Sequence, residues 1–135
     1  MSSDWVEDIY NMHRHYKVHP VIDDMNVEKL KKFLEFRINF LQEELDEMKS
    51  AESAEDVVDA LIDLCVVAVG TLDSFNVDSH MAWDEVLKAN MNKQVGIKEG
   101  RPNPLGLPDL IKPEGWQAPS HAGNHGLLEK IFKDT

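Results

Sequence analysis

Apolar residues recur along this chain at alternating steps of three and four, the spacing of one face of an α-helix. The longest stripe predicts a helix over residues 27–49 that packs along a partner, with Asn26 as its N-cap. The stripe consists of Leu30, Leu34, Ile38, Leu41, Leu45 and Met48. Shorter patterns predict helices over residues 4–17 and 79–94, the first of them ending at His19-Pro20. The pattern therefore indicates an all-α protein, a bundle of four main helices.

The third predicted helix follows a turn at residues 50–54, with Ser53 close to a capping box. Between Ala60 and Leu72 it is apolar apart from Asp63, Gly70 and Thr71. A helix that is apolar nearly all round is buried nearly all round, and four modest helices cannot easily supply that cover. We therefore expect a homo-oligomer, a dimer or a tetramer, with this helix packed against a second subunit.

Proline and glycine become frequent after Gly96 and predict an irregular segment. We divide the chain into a helical core, residues 1–95, and a C-terminal arm, residues 96–135. The arm ends in a short helical stretch from Leu127 to Phe132. It is longer than an ordinary connection, so we expect it to pack on the core or on a neighbouring subunit, or to be partly disordered.

Two acidic clusters flank the turn between the second and third helices. They consist of Glu43, Glu44 and Glu47 before the turn and Asp56, Asp59 and Asp63 after it. An antiparallel hairpin brings them together, and two carboxylates about 5 Å apart repel by roughly 3 kcal/mol at an effective dielectric near 20. Asp59 and Asp63 also interrupt an apolar helix, where solvation is poor. A bound cation, rather than a solvated acidic face, accounts for both features, and oxygen ligands suit Mg²⁺ or Mn²⁺.

Composition excludes several other classes. The net charge of -11 argues against direct nucleic-acid binding, and one cysteine, Cys65, provides neither a disulfide nor a cysteine zinc site. The Glu-x-x-His pairs of di-iron bundles are missing, and His13 and His15 point to different sides of a helix, so we predict no histidine metal site. Neither a signal peptide nor a membrane span is indicated, so we expect a cytoplasmic protein.

Four motifs occur in order along the chain: EELDE at 43–47, DALIDLCVVAVG at 59–70, ANMNK at 89–93 and KPEGW at 112–116. In this combination the chain resembles the all-α nucleoside triphosphate pyrophosphohydrolases, and within them the MazG-like and phosphoribosyl-ATP pyrophosphohydrolase-like proteins common in bacteriophages. The resemblance implies hydrolysis between the α and β phosphates of a nucleoside triphosphate. It also implies Mg²⁺ held by an EExxE and an ExxD motif, in active sites that lie between subunits.

The resemblance also assigns metal ligands. Glu44 and Glu47 match the metal-binding pair of EExxE, and Asp63 matches the aspartate of ExxD. The glutamate of ExxD falls on Ala60, which cannot bind a metal. We expect Asp59, one turn before Asp63, to substitute. A second register, in which Asp56 and Asp59 form the pair, stays open.

Further residues receive roles from the same comparison of motifs. Glu43 matches the leading glutamate and is the candidate catalytic residue that orients or deprotonates the attacking water. Asn90 and Lys93 match residues that contact phosphate or the metal-bound assembly, and they would share one face of the fourth helix. Lys112 of the arm is a further candidate for phosphate binding. Trp5, Tyr16 and Trp116 are candidates for stacking on the base.

The leading hypothesis is therefore a Mg²⁺-dependent enzyme, with Mn²⁺ as a substitute. It would hydrolyse a nucleoside triphosphate, in the phage branch a deoxynucleotide, to the monophosphate and pyrophosphate. House-cleaning of altered nucleotides, control of the nucleotide pool and guanine-selective hydrolysis all fit. The alternative is a non-catalytic helical oligomer that binds nucleotide or a protein partner through the same acidic groove.

Overall fold

The computed structural model describes residues 2–98, 100, 105 and 109–132 of the chain, and it confirms the predicted helical fold class. The helices of this part are α1 (Trp5–His15), α2 (Val18–Asp23), α3 (Val27–Lys49), α4 (Ala54–Ser74), α5 (Ser79–Met91) and α6 (Leu128–Ile131). Two short strands, β1 (Gln94–Gly96) and β2 (Asp109–Ile111), form one antiparallel pair in which Gln94 lies opposite Ile111. The chain divides into two units, Met1–Ser79 with Gly123–Thr135 and His80–Ala122.

The first unit is organised around the hairpin of α3 and α4. Side-chain caps set where both helices begin: Asn26 Oδ1 accepts a hydrogen bond from the Lys29 N–H at 2.9 Å, and Ser53 Oγ accepts one from the Asp56 N–H at 3.1 Å. Such caps satisfy N–H groups that lack a partner in the first turn. The predicted starts of these two helices are therefore confirmed.

Arg37 joins the two arms of the hairpin at the end away from the turn. Its Nε donates to Thr71 Oγ1 and its Nη2 donates to the Val67 carbonyl oxygen, both at 2.9 Å. Residue 37 of α3 thus lies level with residues 67–71 of α4, which makes the helices antiparallel. In this register the carboxylates near the turn also face each other.

The core of the first unit lies at the other end of α4 from the acidic clusters. Ile22, Leu30 and Phe75 are buried together there. The surrounding partly buried residues are Val18, Met25, Phe33, Leu34, Val77, Leu127, Leu128 and Ile131. The Leu127 N–H donates to the Phe75 carbonyl oxygen at 2.7 Å. The end of the predicted arm therefore packs on the helices of this unit, and its predicted last helical stretch is confirmed as α6.

Two predicted helix ends are wrong. The first helix ends before His19-Pro20, because Lys17 adopts a left-handed conformation (φ 57°) and α2 then begins at Val18. Proline is tolerated in the first turn of a helix, where its missing N–H would have no partner. The fourth helix ends at Met91 instead of residue 94, since Gln94 is already paired in β1.

Part of the apolar surface of α4 is left uncovered by the residues that the structure describes. Val58, Leu61 and Ile62 are exposed, Leu61 by 47%. Ile38 of the predicted stripe on α3 is exposed as well. The described part of one chain therefore does not bury α4 nearly all round.

The second unit contains most of α5, the strand pair and the segment after β2. The Trp116 indole N–H donates to the Ala89 carbonyl oxygen at 2.7 Å, which ties this segment to α5. Part of the predicted arm, residues 99, 101–104, 106–108 and 133–135, lies outside the described residues. In the described part of the chain, no helix combines the length and apolarity that crossing a bilayer requires.

Candidate active site

The hairpin brings carboxylates of α3 and α4 together beside the turn. Glu44 is buried at 8% exposure, whereas Glu43 and Glu47 of the same helix are exposed. On α4, Asp59 is exposed and Asp63 is half-buried. Glu44 is thus the acidic side chain of the hairpin that is most removed from water.

Glu44 is electrostatically strained. Burial raises the pKa of its carboxyl group, and the negative charges of Glu47, Asp63 and Asp59 together with a hydrogen bond to Glu47 raise it further. Its Oε2 atom is buried and has no hydrogen-bond partner among the described residues. A buried oxygen left without a donor is unfavourable. A cation or a hydrogen-bond donor beside Glu44 Oε2 would remove this cost.

A shallow groove of about 250 Å³ lies next to these carboxylates, at the turn of the hairpin. Its lining consists of Glu47, Ser50, Ala51, Asp56, Asp59 and Ala60. Asp59 therefore lies close both to Glu44, whose pKa it raises, and to this groove. Asp63 influences Glu44 and Asp56 lines the groove, so the two registers left open by the sequence correspond to neighbouring parts of one acidic surface.

These side chains fit a hard divalent cation. The donors are carboxylate oxygens. The buried Glu44 Oε2, which has no hydrogen-bond partner in the described part of the chain, lies in the field of the carboxylates of Glu47, Asp59 and Asp63. A divalent cation bound by these oxygens would remove the repulsion and satisfy the orphaned atom. The buried methyl group of Ala60 contributes no ligand, as expected from the sequence.

The predicted phosphate-binding residues lie in the second unit. Lys93 Nζ lies 5.4 Å and Lys112 Nζ 5.1 Å from the centre of the Trp116 ring, so both ammonium groups make cation–π contacts with one indole. Asn90 is exposed, and its carbonyl oxygen accepts a hydrogen bond from the Lys93 N–H at 3.2 Å. Since α5 ends at Met91, Lys93 follows the helix and does not share a helical face with Asn90.

A cavity of about 320 Å³ adjoins this pair of lysines in the second unit. Trp116, Lys88 and Asn92 contribute to its walls, together with Pro113 and Glu114. Of the three aromatic residues proposed for base stacking, Trp116 is thus the one with a polar cavity beside it. Tyr16 is largely exposed.

Trp5 lies in an apolar setting in the first unit. It lines a cavity of about 330 Å³ together with Ile9, Ile62, Cys65 and Val69. This cavity belongs to the uncovered apolar side of α4. The surroundings of Trp5 therefore suit packing better than recognition of a polar base.

Sequence reasoning missed a cluster formed by His13, His19 and Asp73. Both imidazoles contact the same carboxylate oxygen, although the aspartate lies far away in the sequence. The angle between His13 and His15 around a helix does not predict which residues of other helices they contact. A helix break was predicted at His19-Pro20, so the helix α2 that folds back towards α1 was not predicted.

The amino-acid sequence matches the model of one known protein family. The model described as phosphoribosyl-ATP pyrophosphohydrolase (PRA-PH) matches residues 19–90, which is more than half of the chain. The match includes both acidic clusters and Asn90, and it ends before Lys93 and Lys112. No curated protein matches the chain. The chain therefore belongs to the phosphoribosyl-ATP pyrophosphohydrolase family, within the MazG-like all-α nucleoside triphosphate pyrophosphohydrolase superfamily, whose activity is nucleotide pyrophosphohydrolysis.

Proposed function

We propose that this protein hydrolyses a nucleoside triphosphate, specifically a deoxynucleoside triphosphate, to the monophosphate and pyrophosphate in a Mg²⁺-dependent reaction. The observation that carries the proposal is the buried Glu44 Oε2, unpartnered among the described residues and surrounded by carboxylates, within the segment that matches the family. The enzyme would act in the cytoplasm on the nucleotide pool, either by removing altered nucleotides or by selecting guanine nucleotides.

Glu44, Glu47, Asp59 and Asp63 are the proposed ligands of the metal, with Mn²⁺ able to replace Mg²⁺. When bound, the metal neutralises negative charge on the phosphates and lowers the pKa of a coordinated water. The protein's own part is to hold four carboxylates in place on two packed helices. Rigid helices position such a site more accurately than loops do.

Glu43 is the proposed general base. It is exposed and precedes Glu44 in α3, and the family's motif, whose leading glutamate it matches, supplies this proposal. The attacking water gives that proton to Glu43 while its oxygen bonds to the α-phosphorus. The bond from the α-phosphorus to the bridging oxygen breaks, and pyrophosphate leaves with the electron pair.

Asn90, Lys93 and Lys112 are the proposed phosphate-binding residues. The proposal for the lysines is supported by their shared contact with Trp116, which places both ammonium groups beside one indole, at 5.4 and 5.1 Å from its centre. A polyanionic ligand that reached both groups would be attracted by two positive charges. The family's motifs supply the proposal for Asn90.

A homo-oligomer is proposed to cover the apolar side of α4, with a second copy of this chain as the occupant. The exposed face of α4 includes Val58, Leu61 and Ile62, which alternate with Asp59 and Asp63 on the same helix. A second copy packed there would exclude water from the neighbourhood of the proposed metal ligands. Active site and assembly would then depend on each other.

The test is a nucleotide panel in water labelled with ¹⁸O. The purified protein is incubated with each deoxynucleoside and ribonucleoside triphosphate and with phosphoribosyl-ATP, in Mg²⁺ or Mn²⁺, and the products are separated and weighed by mass spectrometry. We expect pyrophosphate release with ¹⁸O in the monophosphate, because the water attacks the α-phosphorus. Label in inorganic phosphate would indicate attack at the γ-phosphorus and contradict the mechanism. Failure to hydrolyse any of them, with either metal, would refute the enzyme and favour the non-catalytic oligomer.

A further inference from the structure

Three helices of the first unit bring two imidazoles and one carboxylate to a single point. His13 Nδ1 of α1 lies 2.7 Å from Asp73 Oδ2 of α4, and His19 Nε2 of α2 lies 2.8 Å from the same oxygen. One potential ligand atom from each of the three residues lies within 4.8 Å of the other two. The two rings are 6.0 Å apart between centroids and meet edge to face at 69°.

The cluster is mostly shielded from water but remains accessible on one side. The side chains of His13, Asp73 and His19 are 9%, 13% and 19% exposed, respectively. The cluster is therefore partly accessible to water and small ions, most of all at His19.

The backbone is arranged in a way that keeps these groups together. The left-handed conformation of Lys17 ends α1 and turns the chain so that His19 faces His13. Gly70 lies beside the His13 ring, because a Cβ atom there would be 3.6 Å, an ordinary contact distance, from its Cε1 and Nε2 atoms. Helix α4 therefore approaches the ring closely at Gly70.

The charged group next to the cluster is the guanidinium of Arg37, across Gly70 from the His13 ring. Its Nη2 would lie 2.8 Å from a Cβ at Gly70, and the guanidinium donates to Val67 and Thr71. Burial lowers the pKa of Arg37, yet a guanidinium stays protonated in proteins. Two of the five guanidinium N–H donors already have acceptors on α4. The guanidinium charge opposes binding of a cation nearby, and the carboxylate of Asp73 counters that repulsion.

We propose that His13, His19 and Asp73 form a binding site for a divalent transition metal, specifically Zn²⁺, separate from the acidic hairpin. Two imidazole nitrogens combined with one carboxylate oxygen suit Zn²⁺, whereas Mg²⁺ takes oxygen ligands. Water completes the coordination on the side of His19. The metal fastens α1 and α2 to α4, and it does not depend on the proposed reaction.

Metal binding requires two small changes in the cluster. His13 Nδ1 and His19 Nε2 lose the hydrogens that they share with Asp73 Oδ2, and each neutral ring carries its proton on the other nitrogen. Ligand atoms of a tetrahedral Zn²⁺ lie about 3.3 Å apart, given bond lengths near 2.0–2.1 Å. The observed 2.7 and 2.8 Å separations must therefore open by roughly half an ångström, which a partly exposed Asp73 carboxylate can do by rotation.

The test is a calorimetric titration of the full chain with Zn²⁺, with Mg²⁺ in large excess so that the acidic hairpin is occupied. We expect one Zn²⁺ per chain, and an affinity at least tenfold weaker in His19→Gln and in Asp73→Asn, since even an outer-shell change costs about 10–100-fold. His125→Gln is the matched control, because His125 also pairs with a carboxylate, that of Glu129, but lies outside the cluster.

Cobalt provides a second readout that does not depend on activity. Co²⁺ in place of Zn²⁺ should give visible absorption bands of a four-coordinate site with nitrogen and oxygen ligands, and His19→Gln should abolish them. Circular dichroism checks that each variant is folded. Failure of the wild-type chain to bind Zn²⁺, or equal affinity in wild type and in a folded His19→Gln, would refute the site and leave a hydrogen-bonded cluster. Glu47→Gln should retain Zn²⁺ binding, which separates this site from the proposed active site.

Discussion

The pKa of Glu44 shows how neighbouring groups change the chemistry of a single side chain. Burial and the carboxylates of Glu47, Asp63 and Asp59 raise the pKa of Glu44 above that of an ordinary glutamate. Without a metal, the folded chain therefore binds a proton at Glu44 more tightly than the unfolded chain does. Stability contributed by this proton is fully present below the ordinary glutamate pKa and is lost as the pH rises through the raised pKa.

A first prediction follows for the metal-free protein. In the presence of EDTA, Glu44→Gln should raise the free energy of unfolding above that of wild type at pH 8, because the amide carries no charge. The advantage should shrink as the pH falls through the raised pKa of Glu44. Urea unfolding at a series of pH values measures this difference. Saturating Mg²⁺ should reverse the order at pH 8, and a difference independent of pH would contradict the interpretation.

A second prediction concerns Glu47. Glu47→Gln removes one charged ligand at nearly constant volume, so turnover should fall at least about 100-fold, the upper range for disturbing even the outer shell of a metal site. The protein should stay folded. Glu35→Gln, an exposed glutamate on the same helix, is the matched control and should retain activity. Full activity in Glu47→Gln would remove this residue from the proposed site.

The limits of sequence-based prediction are clearest at the residue scale. Asp59 and Asp63 stood out because they interrupt an apolar helix, which is a local signal. The approach of His13 and His19 to Asp73 has no local signal, since the partners lie on three helices. This approach follows from the left-handed backbone conformation of Lys17, which the neighbouring residue types did not indicate.

At the scale of elements, the long periodic helices were predictable, whereas the short helix α2 and the two strands were not. Asn26 and Ser53 cap α3 and α4, so the starts of both could be predicted from residue type alone. The six residues of α2 and the three-residue strands of the sheet are too short to carry a periodic pattern. Their formation depends on contacts with distant parts of the chain.

A third prediction concerns the docking of α6. At Gly126, where φ is +54°, an added Cβ would fall on the Phe75 carbonyl oxygen and within 2.9 Å of the Asn76 backbone. Gly126→Ala should therefore cost about 2–5 kcal/mol, combining left-handed strain with overpacking. Gly115→Ala is the control, because Gly115 has φ +77° but open space around it.

Left-handed strain alone should cost Gly115→Ala about 1–2 kcal/mol. Urea unfolding compares the two variants, and limited proteolysis reports whether residues 123–132 have detached. Equal stabilities of Gly126→Ala and Gly115→Ala would show that the close approach to Phe75 is not what fixes the segment. Detachment without global unfolding would still support the close approach.

On the scale of the whole molecule, a substitution on the exposed apolar face of α4 tests whether the chain forms an oligomer through this face. Leu61→Lys places a charge on this face, and burying one leucine contributes about 1.5–3 kcal/mol. The fourth prediction is that this variant shifts the assembly towards monomer, with a dissociation constant at least about tenfold higher. Analytical ultracentrifugation measures the shift, and Val95→Lys on an exposed strand position is the control.

Helix class and the antiparallel acidic hairpin could be predicted because both depend on periodicity and caps within one chain. The second-subunit contact stays a prediction, as does the division of the chain at residues 95 and 96. Leu61 and Ile62 are apolar in any context, and their exposure alone does not name what covers them. A measurement of the oligomeric state tests whether a second copy of the chain covers this face.

The contact between Leu127 and Phe75 also has a consequence for how the protein is made. Phe75 and Leu30 are fully buried, and Leu127, Leu128 and Ile131 pack against them. A ribosome adds about 5–20 residues per second, so these three residues emerge roughly 3–10 s after Phe75. During that interval the nascent chain presents an incomplete core to the cell. We therefore expect its yield to depend on chaperones that bind nascent chains.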